Sequence, residues 1–162
     1  MGSMYAKDTS VSVERSRAEI ETVLSRYGAD RFAYATEEGR AMIGFAIKDV
    51  TQTHLAIRMT LPLPKRDERR FTHRKKYSQE VRTTPEEQVK LWEQACRSSW
   101  RSLALVIKAK LEACASGIST VEREFLADVM TPTGQTIGEH IRPQLQAMSE
   151  RGETPRLLLT GS

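Results

Sequence analysis

The sequence predicts an α+β fold: an N-terminal helix, a three-stranded antiparallel meander, a basic arm, a long helix and two shorter C-terminal helices. Three observations predict it. Apolar residues first recur at helical spacing, three segments then alternate apolar and polar residues, and a Thr-Pro-Glu-Glu motif opens a long run with helical spacing. The 162 residues are enough for one domain with a core, which we assign to residues 4–162.

Within this domain we expect the first helix and the meander over 12–61, the basic arm over 62–83 and the helical part over 84–151. Residues 1–3, Met-Gly-Ser ahead of a second methionine, look like a cloning remnant and are set aside. No apolar stretch approaches the roughly 20 residues of a membrane span, so we expect no membrane association and a cytoplasmic protein.

The first helix is predicted over residues 13–27. Ser12 is placed to cap its start, and Gly28 suits a left-handed stop at its end. Its apolar face consists of Ile20, Val23, Leu24 and Tyr27.

The strands are predicted over 31–36, 40–48 and 53–61. The second and third alternate apolar and polar residues, so each has one buried face. The connections at 37–39 and 49–52 have the length and composition of hairpin turns, which favours an antiparallel meander with the first helix across its apolar face.

The long helix is predicted from Pro85 to about Ala115. Thr84 supplies the cap, Pro85 the first helical position, and Glu87 a side chain able to reach back; Gly117 stops the helix. It carries two apolar or small-residue stripes: Val89, Trp92, Cys96, Ser99, Leu103 and Val106, and then Trp100, Ala104, Ile107, Leu111 and Cys114. Each apolar stripe must be buried against another part of the protein. The rest of the domain buries one stripe, so we expect a second copy of the chain to bury the other in a homo-oligomer formed through this helix.

Two shorter helices complete the domain. Ser119 to Glu122 is a candidate capping box for a helix to about Met130, and Thr136 to Glu139 opens the last helix. Pro143 bends that last helix or marks its true start. The tail 157–159, Leu-Leu-Leu, either docks on the body or is disordered.

The basic run over residues 65–82 is the main functional signal. Its sequence, KRDERRFTHRKKYSQEVR, holds eight Lys or Arg and three acids. The whole chain has a formal charge of +4, so the remainder lies near −1 and the basicity is local. Such a run binds a polyanion, and Phe71 or Tyr77 could stack on an unpaired base. The alternative is a solvated, flexible loop that keeps the protein in solution.

A second basic element lies on the long helix, where Lys90, Arg97, Arg101 and Lys108 share one edge. With the outward third-strand residues His54, Arg58 and Thr60 they could extend the arm into a groove. The alternative is a solvent face with the pairs Glu86 to Lys90 and Lys108 to Glu112. The predicted nucleic-acid-binding residues are Arg58, Lys65, Arg66, Arg69, Arg70, Phe71, Arg74, Lys75, Lys76, Tyr77, Arg82, Arg97, Arg101 and Lys108.

Signals of an enzyme are weak. The three histidines lie on different elements without metal-ligand spacing, and Cys96 and Cys114 are too far apart on one helix to bridge. We therefore expect no cofactor, no metal and no catalytic residues. A Mg²⁺ site at Glu122, Glu124 and Asp128 would need a further carboxylate.

The chain resembles a family of uncharacterised proteins of tailed bacteriophages and prophages. The resemblance rests on SRYGADRFAYATEEGRAMIGFAI, LPLP, WEQACRSSWRSLALVIKAKLEA and GISTVEREFLADVMTPTGQTIGEHIRPQL, and it covers most of residues 12–158. It implies a phage origin and a gene neighbourhood of replication and recombination functions, with no catalytic residues to transfer. In outline the topology is also similar to single-strand annealing proteins and to double-stranded-RNA-binding domains, although the acidic start of the long helix departs from the latter.

Together these observations predict a non-enzymatic DNA-binding protein that prefers single strands and acts in phage replication or recombination, by annealing or strand protection. DNA is favoured over RNA as the partner. The alternatives are an interaction protein that docks on a host or phage enzyme and, less favoured, a small Mg²⁺-dependent nuclease.

Overall fold

The computed structural model describes residues 4–152, with side chains described from Val13 onward, and it confirms the α+β fold. In chain order the elements are α1 Met4–Arg26, β1 Asp30–Glu37, β2 Arg40–Lys48, β3 His54–Pro62, α2 Arg69–Thr72, β4 His73–Lys76, β5 Gln79–Arg82, α3 Pro85–Ala115, α4 Val121–Phe125 and α5 Ile137–Glu150. The expectations for residues 1–3 and for the tail 157–159 fall outside the described residues.

The three-stranded sheet has the predicted antiparallel order β1-β2-β3. Ile43 pairs with Met59 and Phe45 with Ile57, so the apolar sides of β2 and β3 coincide. Strands β1 and β2 are joined by the two residues Glu38 and Gly39, and the φ of +74° at Gly39 explains the need for glycine there. This apolar face packs against α1 and α3 in one continuous core.

Helix α1 begins at Met4, so the predicted start after Ser12 is wrong. No proline or glycine lies between these two residues, and nothing in that stretch interrupts a helix. The end is as predicted: Gly28 has a φ of +83°, and the Ala29 amide donates to the Leu24 carbonyl at 3.0 Å.

Helix α3 confirms the predicted capping box and end. The Thr84 hydroxyl accepts from the Glu87 amide at 3.2 Å, and the Glu87 carboxylate accepts from the Thr84 amide at 3.0 Å. The two predicted apolar stripes merge into one buried face, since α1 and the sheet cover a common arc of the helix. That face consists of Glu93, Cys96, Trp100, Leu103, Ala104, Ile107 and Leu111. Val106 is 46% exposed, and the homo-oligomer stays a prediction.

The segment after α3 differs from the prediction. The cap of α4 is Thr120 and not Ser119, and the helix ends at Phe125, followed by a 3₁₀ turn over Leu126–Asp128. The early end has a tertiary cause, because the Met130 amide donates to the Ala56 carbonyl at 2.8 Å and so pairs with the free edge of β3.

Helix α5 opens on the predicted capping box. Thr136 accepts from the Glu139 amide at 3.2 Å, and Pro143 is tolerated inside the helix. A Cβ at Gly138 would lie 2.9 Å from the Ala127 carbonyl oxygen, so glycine allows α5 to approach the 3₁₀ turn closely. Ile141 and Leu145 of α5 are exposed, at 40% and 59%, whereas Met148 is half-buried.

Candidate nucleic-acid interface

The basic run over residues 65–82 is folded, which corrects the prediction of an extended arm. Helix α2 leads into a two-stranded antiparallel hairpin, β4 paired with β5, which carries four of the eight basic residues of the run. We call residues 73–82 the basic hairpin. Seven of its eight strand residues are exposed, so both faces of this ribbon are open to solvent.

The root of the hairpin is fixed by Phe71. Its side chain is 4% exposed, and it lies with Leu61 and Ala95 around one depression against α3. Thr83 closes the other side of the root, because its hydroxyl donates to the Phe71 carbonyl at 2.6 Å and its amide to the Thr72 carbonyl at 3.0 Å. Phe71 is therefore a structural anchor, and the prediction that it stacks on a base is wrong.

Tyr77 and Ser78 form the tip of the hairpin. Both have positive φ, 48° and 66°, as a two-residue type I′ turn requires. Such turns favour asparagine, aspartate and glycine, so a tyrosine in this conformation carries backbone strain. Tyr77 is 91% exposed, which leaves its ring available for stacking, and the stacking itself stays a prediction.

Three of the basic side chains of the run form ion pairs, and two of these pairs, from Arg69 and Arg74, tie the hairpin to its neighbours. Arg69 pairs with Glu80, Arg70 with Glu68 at 2.7 Å, and Arg74 with Glu87 at 2.7 Å. The hydrogen bond from Arg69 lowers the pKa of Glu80, so this carboxylate stays ionised into acid solution. The Arg74 contact joins the hairpin to the capping box of α3.

Other basic side chains of the run form no ion pair with the described residues. Lys75, Lys76 and Arg82 are exposed on the hairpin, although Lys75 lies across the ribbon from Glu80. Lys65 is also exposed, and the guanidinium of Arg66 lies 4.5 Å from the ring centroid of Trp92. These five cations, and not all eight, are available for phosphates.

Arg58 is not part of this surface. It alternates with the buried Ile57 and Met59, so it lies on the outer face of the sheet, opposite α3. Its guanidinium donates to the Gly134 carbonyl at 3.0 Å and pairs with Glu139. The predicted groove joining Arg58 to the basic edge of α3 is therefore wrong, because the sheet separates the two. His54 and Thr60 share the outer face.

The basic edge of α3 exists as a row of side chains. Arg101 and Lys108 are exposed and Arg97 is half-buried. The glutamate predicted to pair with Lys108, Glu112, instead accepts a hydrogen bond from the Tyr27 hydroxyl at 2.7 Å, which raises the pKa of that hydroxyl. The row and the hairpin remain two separate basic elements on the same side of the sheet.

The acids of the nuclease hypothesis do not form a metal site. Among residues 4–152, no group of three or more His, Cys, Asp or Glu side chains is arranged to hold a metal ion. Glu124 lies 3.9 Å from Lys110, and burial raises the pKa of Asp128.

Sequence reasoning missed a cavity that borders the segment leading into the hairpin. It lies between α1, the turn joining β1 to β2, the strand-to-helix segment 63–67 and the first half of α3, and it contains both tryptophans, Arg17 and Glu93. Glu93 is only 8% exposed. The signal in the sequence was the spacing of Glu93, Cys96 and Trp100, which places the glutamate in the apolar face of α3.

Comparison with protein-family models, with curated proteins and with solved structures finds nothing that matches this chain. No helix within residues 4–152 combines the length and apolar character needed to cross a bilayer.

Proposed function

We propose that this protein binds nucleic acid through the basic hairpin, without catalysing a reaction on it, and that its preferred partner is single-stranded DNA. The observation that carries the proposal is the tip of the hairpin. Tyr77 is 91% exposed in a strained turn directly after Lys75 and Lys76. Lysines in such a position neutralise phosphates, and the aromatic ring offers a stacking surface to one base.

The preference for a single strand depends on Tyr77. A base in a duplex is already stacked on both sides, whereas an unpaired base can stack on an exposed ring. A two-stranded ribbon also fits the major groove of B-DNA, so duplex binding is the natural competing outcome. The loss of Phe71 as a second stacking residue leaves Tyr77 alone to supply this preference.

The biological setting is proposed from the phage resemblance and not from the geometry. A protein of phage replication or recombination would work in the cytoplasm of the bacterial host, where single strands arise during both processes. Annealing and strand protection are the two roles that fit a binding protein without chemistry of its own.

A second candidate is a protein-interaction factor. The observation in its favour is the apolar surface away from the hairpin: on α5, Ile141 is 40% exposed and Leu145 59% exposed. A pull-down from host lysate that survives nuclease treatment and is lost in Leu145→Gln would support it. The nuclease alternative has no cluster of carboxylates to support it among the described residues.

Fluorescence anisotropy with matched single- and double-stranded oligonucleotides across a salt series tests the proposal. The informative variant is Lys75→Gln/Lys76→Gln/Arg82→Gln, because these three cations hold no ion pair that the fold needs. Lys48→Gln/Arg123→Gln/Arg142→Gln is the matched control, since it removes the same number of charges and all three residues are exposed outside the hairpin. We expect tight single-strand binding at low salt, lost in the hairpin variant and retained in the control. Absence of binding at about 50 mM salt would contradict the proposal.

A further inference from the structure

We propose that the cavity beside Trp92 is a pocket for one unpaired, amino-bearing nucleobase, with cytosine the best fit. This inference rests on the proposed function and adds a second contact to it, next to the segment that leads into the hairpin. The cavity has a volume of about 780 Å³, within the range of small-molecule sites. Its rim is formed in part by Lys65 and Arg66, both exposed.

Glu93 places a carboxylate in the wall of the cavity. Its side chain is more than nine-tenths buried and lines the cavity, and it makes no hydrogen bond or ion pair with the described residues. A carboxylate that lines a cavity accepts hydrogen bonds from N–H donors of a bound molecule, and such charge-assisted bonds are stronger than those between neutral groups. A ligand that presents N–H donors therefore suits this position.

Arg17 places a guanidinium group in the wall of the same cavity. Its guanidinium carbon lies 4.8 Å from the ring centroid of Tyr34 and 5.0 Å from that of Trp100, so two aromatic rings hold it in place. Its Nε atom is buried, so a ligand in the cavity would meet the terminal Nη atoms. The one described hydrogen bond of these atoms is a long contact of 3.4 Å from Nη2 to the Thr36 hydroxyl, and no described acid pairs with them, so they can donate to an acceptor on the ligand.

The two groups line one cavity without pairing with each other. A flat molecule with donors on one edge and acceptors beside them can donate to the Glu93 carboxylate and accept from the Arg17 guanidinium. An unpaired base has this pattern. Carboxylates recognise the N4 amino group of cytosine, while its O2 and N3 atoms accept hydrogen bonds. Thymine has a carbonyl where cytosine has the amino group, and this oxygen would face the Glu93 carboxylate.

The surroundings fit a base that carries a phosphate. Trp92 donates from Nε1 to the Pro64 carbonyl at 2.7 Å, which fixes its ring as a wall of the cavity. Arg66 stacks over that ring, and its charge is held at the rim, where a phosphate attached to the base would lie. The base could belong to a free nucleotide or to a strand, and the chemistry of recognition is the same.

Tryptophan fluorescence reports this site directly, because the only two tryptophans of the chain line the cavity. We would titrate the full chain with dCMP, with a cytosine octanucleotide and with a thymine octanucleotide, and follow both quenching and anisotropy. The expected result is quenching by the cytosine strand and an affinity for it about tenfold higher than for the thymine strand. If dCMP also quenches the fluorescence, a free nucleotide can supply the base as well as a strand can.

Glu93→Gln keeps the shape of the side chain and removes its charge, so we expect the cytosine preference to fall to within about twofold. Glu93→Asp, which keeps the charge, tests the same point if the amide variant does not fold, and should retain part of the preference. Glu150→Gln on α5 is the matched control and should behave as the parent protein.

The outcomes separate this inference from the proposed function. Equal binding of both strands without quenching, or a cytosine preference that survives in Glu93→Gln, would overturn the pocket and leave the proposed function standing. Quenching by dCMP without binding of either strand would support the pocket and overturn the proposed function.

Discussion

Phe71 and Tyr77 lie in the same basic run, yet the first ring is 4% exposed and the second 91%. The root of the hairpin around Phe71 is held by a buried ring, by nearby ion pairs and by hydrogen bonds between Thr83 and the residues at 71 and 72. The tip around Tyr77 has none of these, and its backbone is strained. The root accounts for the stability of the hairpin, and the tip presents the groups that can contact a ligand.

The basic residues of the run also fall into two groups, those near the root that form ion pairs and those at the tip that form none with the described residues. Arg69, Arg70 and Arg74 are committed to glutamates, whereas Lys75 and Lys76 are not committed to any ion pair with described residues. A cation that is already paired releases fewer counterions when a phosphate arrives. A count of basic residues therefore overestimates the electrostatic contribution of the run to nucleic-acid binding. The two unpaired lysines at the tip should contribute a large part of it.

The largest expected effect is at the root. Phe71→Ala removes a buried ring against α3 and should lower the free energy of unfolding by about 3 kcal/mol, measured by urea denaturation. Phe71→Leu is the control and should cost less than half as much. A Phe71→Ala protein as stable as its parent would contradict the assignment of Phe71 as an anchor.

At the tip, the expected effect is on binding and not on stability. Tyr77→Asn suits the left-handed turn but removes the ring, so the affinity for single strands should fall by about 1–3 kcal/mol while the stability is retained. Tyr77→Phe keeps the ring and should bind as the parent does. Equal affinities for the parent and the asparagine variant, by anisotropy, would show that the ring does not stack.

The two lysines of the tip should set the salt dependence. In Lys75→Gln/Lys76→Gln, the slope of log affinity against log salt should become shallower by about 1.4 for a single strand, since each lost phosphate contact contributes about 0.7. The same change made in the paired residues Arg69 and Arg74 should lower the stability and should change the slope less than the lysine variant does. An unchanged slope in the lysine variant would exclude the tip as the phosphate contact.

The smallest effect is the response of the root to acid. Arg69 lowers the pKa of Glu80 in the folded hairpin below its ordinary value of 4.5. The stabilisation by this pair is therefore complete above 4.5 and is lost as the pH falls through the lowered pKa. NMR shifts of the hairpin amides should follow this loss. Glu80→Gln should abolish the response, whereas a transition centred above 4.5 would contradict its cause.

Much of the fold follows from local sequence signals. The alternation of β2 and β3, the glycine at position 39 and the capping box at Thr84 each predict the observed structure, because periodicity, turn geometry and capping act over a few residues. The end of α4 could not be predicted in this way. Its cause is the pairing of Met130 with Ala56, a contact between residues far apart in the sequence.

The candidate site was predicted in part. Charge patterning found the basic run, but not the hairpin, because Tyr77 and Ser78 are unusual residues for its turn and the strands lack apolar alternation. Phe71 and Tyr77 look alike in the sequence, and only the contact of Phe71 with α3 separates them. Arg17 and Glu93 come together from two helices, so no local motif could join them.

The most direct test of the central claim is photochemical crosslinking of the full chain to a single strand that carries halogenated uracil, followed by mass spectrometry of the adducts. We expect Tyr77 to be the main crosslinked residue, and we expect Lys75→Gln/Lys76→Gln to lower the crosslinking yield and to make it less sensitive to salt. Adducts confined to α5 or to the outer face of the sheet, with Tyr77 unmodified, would contradict this claim.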